Sequence, residues 1–278
     1  MMSENTVYLV TGTNRGIGLA MVTILLQRPH TTVVATSRRP PQQQQHSASS
    51  SSATSIPDDL PAHATSTLVR VLLDDSDAAI SSATLRDRLR DAHNIARLDV
   101  VVANAGTSSG FRDILATDPG YDLLHDFAIN AAGPAKLFRA VWPLLDPAVS
   151  GGGRGGVDEG KGEERRPKFV LITSSLGSIG CLDEESMPST AYGMSKAAAN
   201  WFAKKLSVEF HDRGLLVGII HPGFVKTSMG QAVADAIGMK EPPMSVEDSA
   251  KGVIEQIDTL TPEKSGQFLR FDGGKMPW

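Results

Sequence analysis

Tyr192 and Lys196 stand four residues apart in Ala191-Tyr-Gly-Met-Ser-Lys196, where a helix-like run begins, so both side chains share one helical face. A free phenol titrates near about 10 and handles protons poorly at neutral pH. An adjoining ammonium favours the phenolate and brings that value toward the working range. Such a pair could protonate a carbonyl oxygen as hydride reaches its carbon. The spacing alone equally describes a helix-face tyrosine beside a surface lysine, so the pair needs a hydride carrier nearby. A candidate cradle for one is Val7-Tyr-Leu-Val-Thr-Gly-Thr-Asn-Arg-Gly-Ile-Gly18, which runs from an apolar strand into a helix. Gly12, Gly16 and Gly18, spaced G-x3-G-x-G, permit a tight turn and let a dinucleotide pyrophosphate approach the amides of a helix N-terminus. Thr13, Asn14, Arg15 and Ile17 complete that loop.

The end of the second strand chooses between nicotinamide cofactors. A site for NAD places a carboxylate there, about 20 residues past the glycines, to accept from the ribose 2′-hydroxyl. Here the segment reads Thr36-Ser37-Arg38-Arg39, with no acid. Arg38 would pair with a 2′-phosphate and Arg15 would add a second charge, which points to NADP(H). The plainer reading makes Arg38 and Arg39 solvated charges at the start of a loop.

The elements that must hold these groups alternate along the chain. Strand-like runs fall at Val7–Val10, Thr32–Thr36, Leu68–Leu73, Asp99–Ala103, Phe169–Thr173, Val217–His221 and Gln267–Phe271. Helix-like segments at Gly18–Gln27, Ile80–Ile95, Leu123–Leu145, Ala191–Asp212 and Val246–Leu260 lie between them. Several strands are almost continuously apolar, as parallel strands covered on both faces are. Alternation with short connections predicts right-handed crossovers and an α/β, doubly wound parallel sheet of seven strands flanked by helices. Residues 40–57, rich in Pro, Gln and Ser, and 150–167, Gly-rich and then charged, cannot bury enough surface to order themselves. Both are expected to be flexible insertions within a single domain spanning residues 1–278.

Composition narrows the function classes. The 278 residues are 41% apolar and 21% charged, which excludes collagen-like and wholly disordered chains. A net charge of -4 offers no basic field for nucleic acid. No apolar run approaches the ~20 residues of a membrane span, and no secretory leader is expected at MMSENTVYLV. Cys181 is the sole cysteine, in keeping with a reducing, cytoplasmic setting. The seven histidines show no ligand spacing, so no metal is expected. His221, before Pro222, is read as a packing residue.

The order of TGxxxGxG, Asn104-Ala-Gly106, Ser, Tyr-x3-Lys and Pro-Gly resembles the short-chain dehydrogenase/reductase family over the whole chain apart from the two insertions. The segments TVYLVTGTNRGIG, AYGMSKAAAN and FDGGKMPW are similar to carbonyl reductases of the C-factor and sniffer type, and to fungal ketoreductases of the norsolorinic acid ketoreductase kind in secondary metabolite biosynthesis. The resemblance implies a Rossmann-type fold, an NADP(H)-dependent oxidoreductase acting on alcohol or carbonyl groups, and a homodimer or homotetramer built through the helices at Leu123–Leu145 and Ala191–Asp212. It implies Tyr192 as the catalytic acid and Lys196 as the holder of the nicotinamide ribose. Asn130 would support a relay water, and a serine in Thr173-Ser-Ser-Leu-Gly-Ser178 would bond the substrate carbonyl. Strand-end alignment selects Ser175, with Ser174 and Ser178 as neighbours that could serve. Asp74, or Asp75 beside it, would contact adenine. Asn104, Ala105 and Gly106 would back the adenine-ribose side, Ala103 departing from the family's leading Asn. Pro222, Gly223, Val225 and Thr227 would close on the carboxamide.

The loop beyond the sixth strand, Ser228–Met244, is expected to cover the substrate. Its methionines, and Met187 on the opposite rim, suit a bulky hydrophobic or aromatic ketone, although methionines also fill ordinary core gaps. Ser175, Met187, Tyr192, Phe224 and Met229 are the expected substrate contacts. The reading from another class is an NADP(H)-binding regulatory or sensor protein with little turnover.

Overall fold

The computed structural model describes residues 5–37, 56–72, 82–146, 166–184 and 187–278. Seven strands, β1 (Thr6–Val10), β2 (Thr31–Ser37), β3 (Thr67–Leu72), β4 (Val100–Ala103), β5 (Lys168–Ile172), β6 (Leu216–His221) and β7 (Phe268–Arg270), pair in the order β3-β2-β1-β4-β5-β6-β7. Every pairing is parallel, with Leu9 flanked by Val34 on one side and Val101 on the other. The strand order reverses between β1 and β4, and the crevice beyond the carboxyl ends of these strands is where an open sheet of this kind binds ligands.

Strand alternation sends side chains to two cores. Leu9, Val101, Phe169, Leu171, Val217 and Ile219 pack on one face. Val10, Val102, Val170, Ile172 and Ile220 pack on the other. The first face carries α4 (Gly133–Leu145) and α5 (Thr190–Glu209), and the second carries α1 (Gly16–Leu26) and α7 (Val246–Asp258). That two-sided burial is why the strands read as unbroken apolar runs.

Three elements differ from expectation. The expected helix Ile80–Ile95 is α2 (Ser82–Asp87) followed by a π turn at Arg88–Ala92. The helix expected from Leu123 starts at Pro119, where Asp118 caps it by accepting from the Gly120 and Tyr121 amides, and it runs through α3 (Leu124–Phe127) and a π turn at Ala128–Ala132 into α4. The stretch after Thr227 is not loop alone, because Thr227 caps α6 (Ser228–Ala236) through the Gly230 amide. Of the two expected insertions only the last two residues of each, 56–57 and 166–167, are described. Ile56 is buried in the core beside α1, and the Pro167 carbonyl accepts from the Leu216 amide, so neither end is free surface.

Candidate active site at the carboxyl edge of the sheet

The turn between β1 and α1 is stitched to β4. The Thr11 hydroxyl accepts from the Asn104 and Ala105 amides at 3.1 and 3.0 Å. The Asn104 side chain donates to the Thr11 and Gly12 carbonyls at 2.9 and 3.2 Å. Close approach explains the glycines. At Gly12 (φ 69°) a Cβ would stand 2.9 Å from the Ala105 Cα, and at Gly18 it would overlap the Gly12 carbonyl oxygen. The bare turn and the amides opening α1 form a cradle that fits a pyrophosphate. Thr13 is fully buried and spends its amide and hydroxyl on the Thr36 carbonyl, so it fixes the loop to β2. Gly16 faces Thr227 across the crevice, where a Cβ would lie 3.4 Å from the threonine methyl. Pro222 is held by Ser249, whose hydroxyl donates to its carbonyl at 2.7 Å, and Gly223 takes φ 90°. Val225 bridges to Met244. Arg38 and Asp74 lie outside the described residues.

Tyr192 and Lys196 lie one turn apart near the start of α5, both buried. The Lys196 ammonium donates to the Ile172 carbonyl at the end of β5 (3.0 Å) and lies 5.7 Å from the Tyr192 ring centre. It also approaches Gly106, where a Cβ would be 3.5 Å from it and 3.3 Å from Asn130 Oδ1. Tyr192, Lys196, Asn130 and Gly106 therefore converge. Asn130 sits in the π turn, and its side chain is committed: Nδ2 donates to the Thr107 carbonyl and to Ser195, and Oδ1 accepts from the Thr107 amide. Local π turns often mark functional positions in helices.

The serine beside Tyr192 is Ser174, one residue before the expected Ser175. Ser174 is still extended (φ −153°, ψ 149°), and its hydroxyl accepts from the Leu176 amide and lies close enough to Tyr192 to act on its phenol. Ser175 opens the following turn and gives its amide to His221 Nδ1 at 3.1 Å. Ser178 is remote from this pair, donating to the Pro277 carbonyl.

Burial, rather than the lysine, governs the phenol. Burial raises the Tyr192 hydroxyl well above the ordinary tyrosine value, the Ser174 hydrogen bond pulls it down, and Asp126 raises it. Burial pushes Lys196 down to about 8, with Asp126 opposing. Burial thus favours the protonated Tyr192 hydroxyl, a proton donor at neutral pH.

A pocket of about 300 Å³ lies between the glycine turn, the loop after β4 and α6, lined by Arg15, Thr107, Phe111, Met229, Ala232 and Ala236 among others. Of the expected substrate contacts, Met229 lines it. Ser175, Met187, Tyr192 and Phe224 are not among its lining residues. Phe111, unnoticed in the sequence, packs edge-on against the Tyr192 ring at 5.8 Å and joins pocket to phenol. Arg15 lines this pocket.

Residues 6–238 match the short chain dehydrogenase family. The chain is 36% identical to a norsolorinic acid ketoreductase of Dothistroma septosporum over 99% of its own length and 94% of that protein's. It is 34% identical to the norsolorinic acid ketoreductase of Aspergillus parasiticus, over 99% and 92% of the two chains. Among solved structures it is similar to the carbonyl reductase Sniffer of D. melanogaster, with TM-score 0.77, 25% identity and coverage of 99% and 100%. It is also similar to an NADPH-bound carbonyl reductase from chicken fatty liver, with TM-score 0.74, 27% identity and the same coverage.

Proposed function

The chain belongs to the short chain dehydrogenase family, and from that premise we propose that it is an NADPH-dependent ketoreductase for a bulky aromatic, polyketide-derived ketone. The observation that carries the reading is the convergence of Tyr192, Ser174, Lys196 and Asn130 beside the glycine turn. NADP(H) is supported by the NADPH-bound relative and by the lack of an acid in Thr36-Ser37-Arg38-Arg39. The aromatic substrate class is supported by the names of the two fungal relatives and by Phe111 and Met229 in the pocket.

When bound, NADPH supplies the hydride. The glycine turn and the α1 amides would hold its pyrophosphate, and Pro222, Gly223, Val225 and Thr227 would meet its carboxamide. Ser174 and Tyr192 orient the substrate carbonyl by hydrogen bonds to its oxygen, and Tyr192, kept protonated by burial, gives that oxygen its proton. Lys196 would hold the nicotinamide ribose and return a proton to Tyr192. Asn130 shapes the relay, and since its side chain is engaged with Thr107 and Ser195, its main chain is the part left to meet a water. Arg38 would meet the 2′-phosphate and Asp74 the adenine.

One domain spans residues 1–278 in this reading, and the protein acts as a homodimer or homotetramer in the cytoplasm. The free buried thiol of Cys181 suits that compartment, and no helix among the described residues is long and apolar enough to cross a membrane. Mixing the protein with NADPH and a panel of aromatic ketones, and following the absorbance of the reduced cofactor, tests the activity. Tyr192→Phe should lower kcat by about 100-fold or more while leaving NADPH binding unchanged. Full turnover by that variant would defeat the mechanism, and binding without any turnover by the wild type would favour the sensor reading.

A further inference from the structure

The turn that carries Ser174 has no regular structure to hold it, only one short 3-10 turn over Ser175–Gly177. Three neighbours fix it. From α5, Asn200 donates to the Gly177 carbonyl at 3.2 Å and accepts from Thr173 at 2.5 Å. From the C-terminal segment, the Pro277 carbonyl accepts from Ser178 at 2.7 Å. From the end of β6, His221 accepts the Ser175 amide at Nδ1, 3.1 Å away. The last contact is the one adjacent to the reacting groups, because the Ser175 amide lies a single residue from the Ser174 hydroxyl.

We infer that His221 is a positioning residue for the reaction: its Nδ1, held unprotonated, anchors the Ser175 amide and so aims the Ser174 hydroxyl at Tyr192. The inference rests on the ketoreductase reading for its kinetic consequence, though not for its geometry. An amide N–H can point only at an acceptor, so the imidazole must carry its proton on Nε2. Burial, and then the nearby Arg270, push His221 down to about 4, so the neutral ring persists through the working range. The backbone around it is equally fixed, since the His221 carbonyl accepts from the Phe271 amide at 2.9 Å and His221 pairs with Arg270 in the β6–β7 register. With its strand tied to β7, His221 presents Nδ1 to the Ser175 amide.

Isosteric replacement separates the two ring nitrogens. The carbonyl oxygen of Asn can take the place of Nδ1, whereas that of Gln reaches the place of Nε2. His221→Gln should lower kcat for an aromatic ketone by about tenfold or more, leave NADPH affinity within about twofold, and raise KM little, because aim rather than binding is lost. His221→Asn should restore kcat to within about threefold of wild type. Equal rates for the Asn and Gln variants, whether both high or both low, would overturn the assignment. Nitrogen NMR of histidine-labelled wild-type protein gives a decision that needs no variant to fold. An Nε2-protonated, Nδ1-bare ring at neutral pH supports the proposal, and an Nδ1-protonated ring sinks it. Should the wild type bind NADPH and reduce no ketone, the ketoreductase reading fails while the NMR result still decides where His221 points.

Discussion

The two serines at the end of β5 differ by one residue and by everything they do. Ser174 continues the strand, so its hydroxyl is delivered to Tyr192, whereas Ser175 has already entered the turn and is held by its main chain. Ser174→Ala should therefore lower kcat by about 100-fold, the cost of losing one donor to a developing oxyanion, while Ser175→Ala changes it less than about threefold. Steady-state kinetics on both variants checks this, and the reverse ranking would return the role to Ser175. Tyr192 and Lys196 were legible because their spacing is a helical property, fixed wherever the helix starts. Ser174 was not, since the choice turns on the residue at which a strand stops, and Thr173-Ser-Ser gives no local sign of that beyond a serine suited to cap the next turn. His221 adds a pH dependence at this scale. Its folded value near about 4 lies below the unfolded value near about 6.5, so the unfolded chain binds the extra proton between the two. Its contribution to stability is complete above about 6.5 and is lost as pH falls toward about 4, with Arg270 and Asp272 the charges facing the ring. Urea midpoints should fall across that window in wild type and fall less steeply in H221N.

At the scale of elements, the helical stretch from Pro119 to Ala132 works as a rack for the loop after β4. Asp122, Asp126 and Asn130, at four-residue intervals and all buried, take hold of that loop at three successive points. Asp122 pairs with Arg112 at 3.0 Å, Asp126 accepts the Ser109 amide at 2.8 Å, and Asn130 grips Thr107. The loop so held presents Phe111 to Tyr192. Asp126 also has an oxygen buried without a partner, and its charge raises both Tyr192 and Lys196. Asp126→Asn keeps an acceptor for Ser109 and removes the charge. The basic limb of the kcat/KM profile, set by Lys196 near 8, should then move to lower pH with little change at neutrality. An unmoved limb would show that the carboxylate acts only as a clamp. Helical periodicity made most of this stretch legible, but it cannot show a π turn, which keeps the helix while shifting every later side chain around it. The loop from Thr107 to Arg112 has no period at all, so Phe111 left no trace in the sequence.

For the whole molecule, the sheet was legible because parallel strands buried on both faces must be apolar throughout, and alternation with helices then leaves few topologies. What the outside of the sheet does was not, because an exposed apolar residue on a helix reads like a buried one until the neighbours are known. Met194, Trp201 and Val208 recur at seven-residue intervals along α5, and all three are exposed, Trp201 at 68%. Leu124 and Phe127 of α3 are exposed as well. Residues seven apart drift only about 20° around a helix, so the three form one stripe, and apolar stripes left in water mark association sites. A homodimer that pairs this stripe with its own copy about a twofold axis buries all of it at once, since an isologous contact matches a patch to itself. A large aromatic at the centre of such a patch carries much of the binding energy. Trp201→Glu should thus weaken self-association by at least ~30-fold, converting a species of twice the chain mass into one of the chain mass in light scattering. Its side chain lies on the face of α5 away from Tyr192 and Lys196, so circular dichroism and NADPH binding should stay as in wild type. A wild type that scatters as a single chain at micromolar concentration, or a variant that still scatters as a pair, would remove the stripe as the dimer seam.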